Sequence, residues 1–248
     1  MTIRMKACKG WRFWGGVFLL AAAFWPWLAP AQAQERSDME VASHIARMLG
    51  QGFHPESVEV TVKDSRAYAV MRGATLSKIR IDTMRLDALL THLDAPLDGN
   101  DVKSLSKLIG YSKGELVLLE RDVNAYFDAN ETRGFSKLVF DFKPTGFRAD
   151  GVFTAEFLFT LRIRLAATGV LALHTDGVYL DDVAIFVEKV KQPAALTRQI
   201  VERVNPLIEW SDIPFKVEFK KITMDEDAAR MTGYPEPFED GARAEWTR

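Results

Sequence analysis

The run from Phe153 to Leu165 constrains this chain more than any other stretch. Phe153, Ala155, Phe157, Phe159, Leu161, Ile163 and Leu165 hold its odd positions, and Thr154, Glu156, Thr160, Arg162 and Arg164 stand between them, with Leu158 the exception. Period two predicts a half-buried strand whose polar parity, Arg162 and Arg164 included, is an outward, solvated face. Read as one strand, thirteen residues at about 3.3 Å each make an apolar edge about 43 Å long, whereas a usual strand has about five or six residues. Leaving that row in water would forfeit on the order of 10 kcal/mol. A second sheet, an amphipathic helix or a bound apolar ligand must therefore cover it.

The N-terminal end reads as an address. Arg4, Lys6, Lys9 and Arg12 precede an uncharged run, Phe13 to Ala33, that closes with Ala31-Gln32-Ala33. This pattern predicts a signal peptide over residues 1–33, cleaved after Ala33, and an exported protein, periplasmic or secreted. The alternative is an uncleaved N-terminal anchor, since the run can span a bilayer; Pro26 and Pro30 would break that helix. Cleavage takes away four cations and no acid, so the formal net charge moves from −2 to −6. That balance argues against a general nucleic-acid binder. Cys8, the sole cysteine, lies in the leader without the apolar and small residues that lipoprotein processing needs, so the mature chain is expected to have neither disulfide nor thiol chemistry.

The remainder predicts a single α+β domain over residues 34–233. Val41, Ala42, Ile45, Met48 and Leu49 recur at helical spacing with Gly50 as a stop. Val58, Val60 and Val62 alternate as a strand, Ser65 to Met71 is expected as a short helix ending at Gly73, and a parity switch between Ile81 and Met84 suggests a bulge. Asp176-Gly177 signals a hairpin. Leu196, Ile200, Val204, Leu207 and Ile208 form a stripe at i, i+4, i+8, i+11 and i+12, which predicts a helix from Pro193, kinked at Pro206, as the cover for the long strand. Residues 234–248 lack a period and are expected as a flexible tail.

Catalytic and metal patterns are weak. Gly110-Tyr111-Ser112-Lys113-Gly114 fits the nucleophile elbow G-x-S-x-G, but that motif needs a strand before the serine and a helix after it, and the expected order here is reversed. His44, His54, His92 and His174 are scattered without metal spacing, and Asp181-Asp182 and Asp225-Glu226-Asp227 lack an EF-hand frame. No catalytic residue, metal or cofactor is expected. The aromatic residues are more telling: Phe140, Phe142, Phe153, Phe157 and Phe159 fall on inward parities of neighbouring strands. With Leu161, Ile163 and Leu165 below and Ile200, Val204 and Leu207 above, they are the candidate walls of an apolar groove between a long, curved antiparallel sheet and the amphipathic helices wrapped on it.

Three segments in order resemble the LmeA-like phospholipid-binding proteins, relatives in shape of the tubular lipid-binding (TULIP) domains. They are ESVEVTVKDSRAYAVMRGATLSKIRIDTMRL (56–86), GELVLLERDVNAYFDAN (114–130) and VNPLIEWSDIPFKVEFKKITMDEDAARMTG (204–233). Asp225-Glu226-Asp227-Ala228 stands where that family usually has a glycine hairpin. The resemblance implies a non-enzymatic, TULIP-like protein of the cell envelope that holds acyl chains of a phospholipid or similar amphiphile, for transport or sensing, with transient membrane contact and no catalytic residues to carry over. The alternative is a structural or assembly protein of the envelope whose core is filled by its own side chains. The lipid, the head-group contacts and any protein partner are not specified by the sequence.

Overall fold

In the computed structural model, which describes residues 37–93, 101–130, 134–156 and 160–248, with 155, 156 and 161 by backbone alone, a capping box sets the first element. Ser37 Oγ accepts from Glu40 N and the Glu40 carboxylate from Ser37 N, both at 3.3 Å, opening α1 (Asp38–Phe53). The helix runs on through Gly50, the expected stop. A Cβ at Gly50 would lie 2.4 Å from the Trp246 ring, so the glycine serves close packing rather than termination.

The chain continues through β1 (Ser57–Lys63), β2 (Arg66–Leu76), β3 (Ile79–Leu90), the one-turn α2 (Leu105–Leu108), β4 (Ile109–Leu119), α3 (Glu120–Ala129), β5 (Phe135–Lys143), β6 (Gly146–Glu156), β7 (Thr160–Leu173) and β8 (Gly177–Val187). It ends with β9 (Val190–Lys191), α4 (Ala194–Val201), β10 (Ile208–Glu209), β11 (Val217–Glu218), β12 (Lys221–Met224), β13 (Ala228–Thr232) and β14 (Ala242–Thr247). The expected helix over Ser65 to Met71 is part of β2, because Ala67, Ala69 and Met71 are buried while Arg66, Tyr68 and Val70 between them are half-buried.

The architecture is α+β and predominantly antiparallel, and it does not close into a barrel. As expected, the sheet is curved and antiparallel, and its strands hydrogen-bond in two sections, ordered β12-β13-β4-β3-β2-β1-β14 with β11 beside β4, and β10-β8-β7-β6-β5 with β9 beside β8. β11 pairs with β4 in parallel; the other ladders are antiparallel. α1 packs on β14, β1 and β2, α3 on β5, β3 and β4, and α4 on β8. The position of α3 ties the two sheets together.

The single strand expected over Phe153 to Leu165 is two arms of a hairpin. Phe153 faces Ile163, Ala155 faces Leu161 and Glu156 faces Thr160 across the β6–β7 ladder. Directly opposed residues share a face, so a reversal that pairs odd positions with odd positions preserves the period. The row is consequently folded back on itself. Burial falls along it: Phe147, Ala149, Leu165 and Ala167 at one end are sealed in the core, whereas Phe153 and Ile163 are half-buried.

The predicted long helix also differs. α4 stops at Val201, and Leu207 and Ile208 lie outside it, Ile208 opening β10 opposite Val178. Pro206 has no N–H to continue a helix, and Asn205 before it takes another partner: its side chain accepts from Leu180 N at 2.8 Å and donates to Leu180 O at 2.9 Å. Asn124 of α3 does the same at the outer edge of β5, accepting from Phe140 N at 2.7 Å and donating to Phe140 O at 2.9 Å. Both amides occupy backbone groups that would otherwise be bare strand edge.

Residues 234–248, expected as a loose tail, include β14, which pairs antiparallel with β1 from Ser57 opposite Thr247 to Val62 opposite Ala242. The β12–β13 hairpin is closed without glycine, since Asp225 Oδ1 accepts from the backbone N–H groups of Asp227 and Ala228 at 2.9 and 2.8 Å. The expected signal peptide and anchor alternative fall on residues outside those described. Among the described residues no helix is long and apolar enough to cross a membrane.

Candidate functional site

A row of aromatic contacts leads out of the core. Phe147 meets Phe140 at 5.4 Å between centroids, Phe140 meets Phe127 at 5.3 Å, and Phe135 lies tilted at 5.1 Å against its ladder partner Phe153. Where this row ends, the strands of the β6–β7 hairpin, the start of β5, the end of α3 and α4 border a cavity of about 1330 Å³. That is above the ~300–1,000 Å³ typical of small-molecule sites.

Phe127, Phe135 and Ile200 border the space and are buried, which makes them its floor; Phe153 and Val152 are half-buried walls, and Leu196 is 41% exposed beside them. Lys137, Arg162, Arg164 and Arg203 border the same space and are exposed, forming a basic rim, with Asp128 the acid among the lining residues. Arg203 Cζ lies 5.4 Å from the centre of the Phe153 ring. Lys137 reaches the rim through a bulge: Ser136 pairs with Val152 and Val139 with Asp150, so Lys137 and Leu138 together oppose Gly151. A Cβ on Gly151 would stand 3.0 Å from Leu138 Cδ1, which suits the glycine to the crowded side of the bulge.

Of the residues expected to wall a groove, Phe153 and Ile200 border this cavity. Phe140 and Phe142 do not; they are 2% and 0% exposed and belong to the sealed core, as do Leu165 and Leu207. Ile163, opposite Phe153, and Val204, past the end of α4, are half-buried and outside the lining. Phe157 and Phe159 lie outside the described residues, as does the Leu161 side chain. Sequence reasoning passed over Phe127, Phe135 and Val152, and it placed Arg162 and Arg164 on an outward, solvated face. They do lie on the opposite parity to Phe153, but both parities of the hairpin border the cavity here. The alternation Thr160, Arg162, Arg164 was the available signal for the rim.

The other motifs resolve into structure. Ser112 sits inside β4, fully buried, and its hydroxyl donates to Lys216 O at 2.8 Å, so the G-x-S-x-G match is a strand and not an elbow. Asp225 is occupied by its turn. Among the described residues no group of three or more His, Cys, Asp or Glu is placed to hold a metal.

Sheet, helices and cavity together are those of an antiparallel α+β binding domain. The family model of LmeA-like phospholipid-binding proteins matches residues 56–233, well over half of the chain, and the protein belongs to that family. Its members are binding domains rather than enzymes, and lipid is the class of partner it defines. Neither the curated proteins nor the solved structures contain a match to this chain.

Proposed function

We propose that this protein holds a phospholipid or a similar amphiphile, acyl chains against the Phe127, Phe135, Phe153 and Ile200 floor, and that it does so as a carrier or sensor in the cell envelope without catalysing a reaction. The observation that carries the reading is the cavity, whose apolar floor continues the aromatic row of the core to an open basic rim, within a phospholipid-binding family. Apolar floor and charged rim are the two halves of an amphiphile's complement. The run Phe13 to Ala33 with its Ala-x-Ala triplet supports export, and brief contact with a membrane would load and unload the cargo. The test is uptake of a fluorescent acyl probe by the purified protein together with solvent extraction of protein from its own host. Saturable uptake and extracted phospholipid are expected. No uptake and no lipid would contradict the reading.

One observation favours a second reading, an envelope assembly protein with a self-filled core: Phe140 and Phe142, expected in a groove, are sealed. It predicts an empty extract and a cavity that takes no probe.

A further inference from the structure

Three cations at the cavity mouth, Lys137, Arg162 and Arg164, lack the ion pairs that most arginines on these sheets make among the described residues. Nine arginines lie on strands, and six of them are ion-paired, as Arg66 is with Asp87 and Arg243 with Glu59. Arg72, Arg162 and Arg164 have no ion pair among the described residues, and two of these three border the cavity. Across the ladder Arg162 faces Thr154 and Arg164 faces Val152, positions where a carboxylate would ordinarily neutralise an arginine. The nearest acids by register on that face are Glu156, opposite Thr160, and Asp150, opposite Ala166; Asp150 is ion-paired with Arg148. Lys137, brought in by the bulge, is likewise without an ion pair among the described residues.

Two arginines at i and i+2 on one strand project from the same face about 6.6 Å apart along the backbone. Their forked donors can converge on one tetrahedral anion, which lysine ammonium can only approach as a point charge. The rest of the chain is net negative, so this local excess of cations is not a general basic surface. We infer that Lys137, Arg162 and Arg164 form a phosphate subsite at the cavity mouth, and that this subsite selects lipids of net negative head-group charge over zwitterionic ones with the same acyl chains. The inference rests on the reading of the cavity as an acyl-chain site.

The experiment displaces a bound fluorescent acyl probe with dioctanoyl phosphatidylglycerol or dioctanoyl phosphatidylcholine, and titrates inorganic phosphate alone by calorimetry. The wild type is expected to prefer phosphatidylglycerol about tenfold at low salt, as charge-assisted hydrogen bonds to one phosphate would give, and less at high salt. Arg162→Gln with Arg164→Gln is expected to abolish the preference, lowering phosphatidylglycerol affinity about tenfold more than phosphatidylcholine affinity; Lys137→Gln reduces it in part. These side chains are exposed, so folding is unaffected, as circular dichroism would verify. Equal displacement by the two lipids from the wild type would overturn the subsite and leave the carrier reading standing. Tight binding of inorganic phosphate without lipid preference would overturn it in favour of a free-anion site. Failure of the wild type to take up the probe would remove the carrier reading and the subsite with it.

Discussion

Arg203 holds its guanidinium over the ring of Phe153, 5.4 Å from the centroid, and thereby joins the turn after α4 to the half-buried end of the β6–β7 hairpin. The contact marks where core becomes cavity, and it separates two kinds of phenylalanine. Phe153→Asp removes a half-buried ring from its contacts with Phe135 and Arg203, so stability should fall by about 1–3 kcal/mol, while affinity for an acyl probe falls at least tenfold. Phe142→Ala, in the sealed core, should cost about 3–5 kcal/mol and leave probe affinity of the remaining folded protein unchanged. Urea unfolding and probe titration on both variants check the split.

Arg66 donates to both carboxylate oxygens of Asp87, at 2.9 and 2.8 Å, and the backbone N–H of Glu236 donates to Asp87 Oδ2 at 3.1 Å. Asp87 is 6% exposed, so this pair pins the segment before β14 onto β2 and β3. Arg66→Ala would leave the buried carboxylate underpartnered, at a cost of about 1–3 kcal/mol. Protease cleavage between Gly233 and Gly241 should accelerate in that variant, and chemical unfolding gives the loss in stability.

Gly50 and Trp246 test whether the C-terminal strand belongs to the fold. Gly50→Val would drive a branched side chain into the indole, and overpacking of this kind costs about 1–3 kcal/mol. Amide exchange along β14 should rise in the variant more than exchange along β3, measured by mass spectrometry of peptides.

Tyr111 donates a hydrogen bond to Glu218, which holds the Glu218 carboxyl below the usual glutamate range and raises the Tyr111 hydroxyl above its own. A carboxyl depressed in the folded state adds stability above its unfolded pKa and loses it as pH falls through the folded value. The link between β11 and β4 should accordingly weaken in acid. Carboxyl NMR should show Glu218 titrating below the usual glutamate range, and Tyr111→Phe should return it towards that range.

Periodicity in the sequence revealed which residues share a face, and it was blind to where the chain reverses. Val58, Val60 and Val62, and Leu138, Phe140 and Phe142, are buried on the parity that alternation assigns. Phe153 to Leu165 alternates just as well, yet the hairpin pairs odd with odd and leaves no trace in the period. The stripe from Leu196 to Ile208 failed for a different reason, because Asn205 spends its side chain on the Leu180 backbone and Pro206 cannot donate. β14 was legible after the fact: Ala242, Ala244 and Trp246 alternate with Arg243, Glu245 and Thr247, but two alanines give a weak apolar signal. Arg162 and Arg164 read as solvated because parity alone says nothing of a cavity that both faces of a hairpin border.

Native mass spectrometry of the full-length gene product, purified from its own host without detergent, addresses the central claim most directly. The account predicts a series of masses above the polypeptide, each offset by a phospholipid and lost when Phe153→Asp replaces the wild type. A wild-type spectrum containing the bare polypeptide alone, under conditions that preserve lipid on a control carrier, would contradict it.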